Sequence, residues 1–210
     1  MNKCLNKVRM YDGNIKTKIV NTVLIFLFGI LLGVFAKWLD NLSIDNTIWW
    51  QNIIDKLDLR NVFSLFGIWL LIALIISIYS KTPFRASLNV FLFFIGMTVS
   101  YHLYTIYFSG FNPSSYMIIW YGITIISSLL AYICWYSKGD NKIFFMISTL
   151  ILVVMMFSSF SFGMFYFDIN SVIDLLKFIT TIIVLHTKWK NTISSLVIAF
   201  IISFIIRCFM

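Results

Sequence analysis

Long apolar runs separated by short polar links make up most of the chain. A helix needs about 20 mainly apolar residues to cross the hydrocarbon core of a bilayer. Seven segments reach or approach that length, so the pattern predicts an all-α, polytopic transmembrane helix bundle of about seven spans in a single integral membrane domain, residues 1–210. The predicted spans are about 19–37, 61–80, 86–108, 115–136, 143–167, 169–187 and 191–207.

Residues 38–60 form the one substantial polar interruption, "WLDNLSIDNTIWWQNIIDKLDLR". Its large apolar residues recur near a helical period, with Asp55 and Asp58 on the other side. We therefore expect an amphipathic helix on the outer membrane surface. It is either a lid over an outward-facing cavity or a connector held at the interface. The residues on its apolar side are Trp49, Ile53, Ile54 and Leu57.

Composition supports the membrane class. The chain is 60% hydrophobic and 11% charged, with a mean hydropathy of +0.93. Soluble domains average about 25% charged and 45–50% apolar residues. A transmembrane β-barrel would instead show short alternating segments. The abundance of Ile, Phe, Asn and Lys beside very little Ala is typical of an AT-rich bacterial genome, so we expect a multi-pass protein of the bacterial plasma membrane.

The net charge of +8 is informative because of how the basic residues are distributed along the chain. Basic residues punctuate the apolar runs instead of covering one face, which argues against a nucleic-acid partner. Cytoplasmic loops of membrane proteins carry the excess of Lys and Arg. The pattern therefore predicts a cytoplasmic N-terminus and an outside C-terminus. On that topology 11 of the 16 basic residues are cytoplasmic: Lys3, Lys7, Arg9, Lys16, Lys18, Lys81, Arg85, Lys138, Lys142, Lys188 and Lys190.

Two charges, Asp174 and Lys177, fall inside the predicted sixth span, 169–187. A charge at the centre of a membrane helix costs about 2.5–3.5 kcal/mol on insertion scales. Their i, i+3 spacing lets them pair on one helix face. One interpretation is a buried ion pair that fixes helix packing. The other is a polar ligand-binding site for an ion or small solute.

His102 is the third candidate for this site, because the topology puts it at a depth similar to that of Asp174. An Asp–His pair would respond to protons near neutral pH. The alternative is a hydrogen bond to a neighbouring helix or simple placement at the interface.

Other residues indicate helix packing. Gly29 and Gly33 form a small-x-x-x-small motif, and Asn89 can hydrogen-bond across helices. The three cysteines form no C-x-x-C pair, so we expect no metal site and no disulfide. No cofactor follows from the sequence.

Four runs carry a resemblance to other proteins: "GILLGVFAKWLD", "TPFRASLNVFLFFIGMTVSYHLYT", "CWYSKGDNK" and "FGMFYFDIN". Together they resemble a group of small multi-pass membrane proteins from low-GC Gram-positive bacteria. The resemblance implies a shared architecture over most of the chain. It implies no activity and no site residues.

The sequence lacks the motifs of rhomboid-like and CAAX-type proteases, of acid-phosphatase-type lipid phosphatases and of CDP-alcohol transferases, so nothing in it favours a membrane enzyme. All eight acidic residues are Asp, which excludes paired-Glu proteases, and there is no Gly-x-Ser-Gly run. We expect a protein that binds or transports a small solute or ion through a polar site in the outer half of the bundle. The alternative is a non-enzymatic membrane partner or assembly factor whose intramembrane charges are structural. The expected partners are the lipid bilayer, a solute or ion, and a second membrane protein.

Overall fold

The computed structural model describes residues 15–45, 47–139, 141–163 and 165–209. The basic residues expected near the N-terminus, from Lys3 to Arg9, lie outside these ranges. The described elements in chain order are α1 (Ile15–Asn41), α2 (Trp49–Lys56), α3 (Leu59–Ser64), α4 (Phe66–Tyr79), α5 (Pro83–Ser109), α6 (Ser114–Cys134), a 3-10 turn (Trp135–Lys138), α7 (Lys142–Ser159), β1 (Phe160–Phe162), β2 (Phe167–Ile169), α8 (Val172–Leu185) and α9 (Trp189–Phe209).

The all-α prediction is confirmed: helices dominate the described chain, and five of them are long and apolar enough to cross a membrane. The five are Ile15–Asn41, Pro83–Ser109, Ser114–Lys138, Lys142–Ser159 and Trp189–Arg207. Two further apolar helices, α4 and α8, have 14 residues each. At 1.5 Å per residue each is about 21 Å long, short of the roughly 30 Å hydrocarbon core.

The predicted second span, 61–80, is interrupted. Leu65 takes an extended conformation with φ −82° and ψ 148°, so α3 ends at Ser64 and α4 begins at Phe66. The indole N–H of Trp69 donates to the Phe63 carbonyl at 2.9 Å and thereby holds the two pieces together across the break. This span is therefore a broken helix, where the hydropathy pattern predicted a continuous one.

The predicted fifth span, 143–167, is wrong beyond Ser159. The chain leaves the helix there and forms an antiparallel hairpin in which Phe160 pairs with Ile169 and Phe162 with Phe167. Phe160 and Phe162 are buried, and Ser161 between them is not, so the local pattern has a period of two. Aromatic residues favour strands when they can pack on one face in this way. The predicted sixth span also shortens, because α8 begins at Val172.

Helices α1 and α5 pack together through glycine. A Cβ on Gly29 would overlap the Phe93 carbonyl, and a Cβ on Gly33 would overlap the Met97 carbonyl. The Ser100 hydroxyl, on α5, donates to the Ile30 carbonyl of α1 at 3.1 Å. The small-x-x-x-small motif therefore lies in the interface between α1 and α5.

Large apolar side chains cover much of the outward surface, for example Leu31, Ile118 and Leu150, which are 68%, 69% and 65% exposed. Patches of this kind are too large for a water-facing surface of a monomer. Lipid contact explains them, in keeping with a membrane-embedded protein.

Successive spanning helices alternate in direction, so α1 and α5 run the same way and the bundle has two distinct ends. Thr22 bonds Asn89 near the starts of α1 and α5, and Asn41 bonds Ser109 near their ends. We name the end where α1, α5, α7 and α9 begin the basic end. The described acidic residues lie toward the opposite end: Asp40, Asp45, Asp55, Asp58, Asp168 and Asp174.

Candidate functional site

Asp174 and Lys177 form an ion pair inside the bundle. The Lys177 ammonium contacts the Asp174 carboxylate, and their side chains are only 7% (Asp174) and 4% (Lys177) exposed. Two opposite charges with so little water around them attract strongly, but each has also lost its hydration. Neither charge would therefore be stable at this buried position without the other.

The start of α8 explains how Asp174 is held. Ser171 is the N-cap of this helix, and its hydroxyl accepts a hydrogen bond from the Asp174 amide at 3.1 Å. The same hydroxyl lies 2.8 Å from the Asp174 carboxylate, to which it donates. An acidic residue in the first turn is also favoured by the helix dipole. Asp174 is thus a first-turn residue, one turn nearer the helix start than the sequence predicted, and the "SVID" capping pattern was the available signal.

Lys177 projects from α8 onto the start of α4. A Cβ on Gly67 would overlap the Lys177 ammonium, and Ser158 of α7 lies beside the same glycine. The positive end of the α4 dipole is an unfavourable neighbour for a cation. The Asp174 carboxylate offsets that repulsion. Sequence reasoning missed Gly67 and Ser158, because their proximity arises only when α4, α7 and α8 pack together.

The pair therefore lies where two half-length helices begin and a long helix ends. Phe178, next to Lys177 in sequence, packs edge-to-face on Phe160 of the hairpin, with ring centroids 5.0 Å apart. Phe160 and Phe178 belong to the larger buried apolar cluster of the described residues. This surrounding has a low effective dielectric, so a change at either charge has large energetic consequences.

His102 is not part of this site. Its ring nitrogens lie 3.1 Å from the Tyr121 hydroxyl and 2.9 Å from the Asn112 side-chain oxygen. These bonds join α5 to Tyr121 of α6 and to Asn112 in the link between the two helices. The expected Asp174–His102 pair does not form. His102 instead makes a hydrogen bond to a neighbouring helix, which was the alternative interpretation.

A second polar cluster lies at the end opposite to the basic end. The Asp40 carboxylate accepts hydrogen bonds from the Tyr101 hydroxyl at 2.7 Å and the Ser64 hydroxyl at 3.3 Å. The Lys37 ammonium lies 3.9 Å from the same carboxylate. A cavity of about 30 Å³ beside Asp40 has room for one or two waters. These contacts tie α1, α3 and α5 together.

Asn89 joins three elements at the basic end. Its side-chain oxygen accepts from the Thr22 hydroxyl of α1 at 2.7 Å, and its amide donates to the Ser80 hydroxyl at 3.0 Å. Ser80 follows α4, so one buried amide links α1, α4 and α5 across the interior.

The segment 38–60 is helical in part. Helix α1 continues to Asn41, and α2 presents Trp49, Ile53 and Leu57 outward, as a helix lying on a membrane surface would. Trp50 stacks on Trp38 at a centroid distance of 6.1 Å, which fixes α2 to the end of α1. Hydrogen bonds from the Thr47 side chain and backbone lower the pKa of Asp45 just before α2.

Among the described residues, no three His, Cys, Asp or Glu side chains come together in a way that could hold a metal ion. No protein-family model, curated protein or solved structure matches the chain. The function is therefore inferred from the geometry of the bundle.

Proposed function

We propose that this protein is a multi-pass membrane protein that binds or transports a small solute or an ion at the Asp174–Lys177 pair. The observation that carries the proposal is the position of the pair, buried where α4 and α8 begin beside the broken segment at Leu65. Transporters commonly place their substrate sites at interrupted helices near the middle of the membrane. Ionisable residues inside a membrane are functional candidates by default.

The closed ion pair is a resting state in this proposal. Each charge neutralises the other, so the empty site contains no unpaired charge in a medium that penalises one. A cationic group entering the site would take the place of Lys177 on the carboxylate. An anionic group would take the place of Asp174 on the ammonium and would also meet the N-terminus of α4.

The membrane topology belongs to the same proposal. We infer seven crossings, in which the segments 59–79 and 160–185 each complete a crossing with the help of non-helical backbone. Such backbone is tolerated at membrane depth where protein or a water-lined cavity surrounds it. The concentration of Lys and Arg at the basic end supports a cytoplasmic N-terminus, an outside C-terminus and a place in a bacterial plasma membrane.

One observation favours the second candidate, a non-enzymatic membrane partner or assembly factor. The Asp174 carboxylate is satisfied by Lys177 and by Ser171, both from the chain itself. A pair that needs no ligand is what a purely structural role requires. In that case the two charges set how α8 packs on α4 and take no part in binding.

Ligand-dependent melting in detergent tests the proposal. The probes are Na⁺, K⁺, Mg²⁺, Ca²⁺ and a panel of amino acids, polyamines and organic acids. A ligand at 100 times its Kd stabilises a one-site protein by about 2.7 kcal/mol. We expect at least one probe to raise the melting temperature of the wild type, and we expect the double variant Asp174→Asn/Lys177→Met to lose that shift.

The matched control is Asp55→Asn/Arg60→Met, which removes a charge pair of the same sign pattern from an exposed position. It should keep the shift. If the double variant at 174 and 177 is stable and keeps every ligand shift of the wild type, the site lies elsewhere and the structural candidate is favoured.

A further inference from the structure

A second cavity, unconnected with the ion pair, lies at the basic end between α1, α4 and α5. Its volume is about 160 Å³. That is below the roughly 300–1,000 Å³ of sites that enclose a drug-sized molecule. The size suits a compact group such as phosphate better than a whole organic ligand.

Three cationic side chains line this cavity: Lys18 of α1, Lys81 of the link and Arg85 of α5. Among the residues that the structure describes, no acidic side chain lines it. Lys18 and Arg85 take no part in any ion pair formed within the described ranges. Lys18 and Arg85 therefore give the cavity positive charge that no acidic residue of the described ranges pairs with.

Arg85 is held in place for binding an anion. Its guanidinium donates to the Thr22 hydroxyl at 3.4 Å, and its backbone amide donates to the Thr82 hydroxyl, the N-cap of α5, at 3.2 Å. Arg85 therefore lies in the first turn of α5, where the helix dipole adds partial positive charge. A planar guanidinium binds phosphate oxygens in a bidentate manner.

Three isoleucines form an apolar part of the cavity wall, beside neutral polar side chains. Ile25, Ile75 and Ile76 line it one to two turns deeper in the bundle than the cations. Tyr79, at the rim, is 65% exposed, and Tyr favours the headgroup region of membranes. A cationic mouth above an apolar wall matches a lipid, which has a charged headgroup above its acyl chains.

We propose that this cavity binds the phosphate group of an anionic phospholipid. Lys18 and Arg85 contact the phosphate, Lys81 adds positive charge to the same cavity lining, and the first methylenes of an acyl chain lie on the isoleucines. Basic pockets between membrane helices on the cytoplasmic side bind such headgroups. This site rests on the proposed topology, which makes the basic end cytoplasmic, but it does not depend on the Asp174–Lys177 pair.

Native mass spectrometry of the purified protein, with phosphatidylglycerol as the probe, tests this assignment. Phosphatidylcholine and diacylglycerol serve as comparisons of equal chain length. Each Lys or Arg near an anionic membrane surface contributes on the order of 1 kcal/mol. We expect Lys18→Gln/Lys81→Gln/Arg85→Gln to bind phosphatidylglycerol at least about tenfold more weakly than the wild type.

A control variant with the same loss of charge distinguishes binding in this cavity from a general electrostatic attraction between the protein and an anionic lipid. Lys142→Gln/Lys188→Gln/Lys190→Gln removes three cations from the same end but outside this cavity, and we expect it to retain wild-type binding. Equal losses in the two triple variants would overturn the proposal, as would equal retention.

Two further experiments cover an unfolded triple variant and binding of a soluble phosphate. If the cavity triple variant does not fold, Ile75→Trp narrows the cavity and keeps all three cations, and undiminished phosphatidylglycerol binding by that variant would contradict the site. If inorganic phosphate or glycerol 3-phosphate stabilises the protein as well as phosphatidylglycerol does, the lipid assignment is overturned in favour of a soluble phosphate.

Discussion

Replacing Lys177 with Met should destabilise the protein strongly, because it leaves a buried carboxylate without its counter-charge. In the variant, Asp174 keeps only the hydroxyl of Ser171 and the hydrogen-bonded cap. Breaking a buried ion pair from one side costs about 3–5 kcal/mol. For a chain of this size 1 kcal/mol corresponds to about 2–4 °C in Tm, so the expected loss is about 6–20 °C.

The double variant Asp174→Asn/Lys177→Met should recover most of this loss. Replacing both partners of a buried pair by neutral groups of similar size is often neutral or stabilising. The assay is thermal unfolding in detergent, followed by intrinsic tryptophan fluorescence, for the wild type, both single variants and the double variant.

An exposed pair in the same protein is the control. Arg60 and Asp55 lie 4.0 Å apart with side chains 43% and 52% exposed. Surface pairs contribute about 0–1 kcal/mol, so Asp55→Asn and Arg60→Met should each change Tm by no more than a few degrees. A loss of stability in Lys177→Met no larger than in these controls would contradict a buried, mutually dependent pair, as would simple addition of the two single effects at 174 and 177 in the double variant.

Three further predictions follow from individual contacts. Ser171→Ala should lower stability by about 1 kcal/mol, measured as Tm, because the cap of α8 is lost; Ser171→Thr, which keeps a hydroxyl, should recover most of it. Gly33→Leu should prevent the α1–α5 contact and destabilise by more than the roughly 1–3 kcal/mol of ordinary overpacking, whereas Gly122→Leu, at a position with open space, should be tolerated in the same melt. His102→Gln and Asp174→Asn should have additive effects on Tm within about 0.5 kcal/mol, because they belong to separate clusters; a larger coupling would contradict their separation.

The sequence was a good guide to elements whose signal is long and repetitive. The runs 86–108 and 115–136 are helices close to their predicted bounds, because twenty or more apolar residues leave few alternatives in a membrane. The i, i+3 spacing of Asp174 and Lys177 placed them on one helix face, and the spacing of Gly29 and Gly33 marked a packing face. These features are local, so they are visible without tertiary structure.

The errors have a common physical origin. Hydropathy measures how apolar a segment is and does not tell a helix from an aromatic hairpin, so it predicts that α7 continues where the chain in fact turns into β1 at Phe160. The break at Leu65 involves no Gly or Pro, the usual breakers. The neighbours of Lys177, Gly67 and Ser158, come from distant segments that only packing brings together.

Water access to the ion pair is the measurement that tests the functional proposal most directly. Ser158 and the Lys177 ammonium both lie beside Gly67, and Ser158→Cys can be placed in a background with Cys4, Cys134 and Cys208 replaced by Ser. The reaction of this cysteine with a small water-soluble methanethiosulfonate reagent is compared in vesicles with that of Leu150→Cys, an outward-facing position. A site that admits solutes predicts fast labelling at 158 and slow labelling at 150. Labelling at 158 as slow as at 150 would contradict the proposal and leave the pair a structural one.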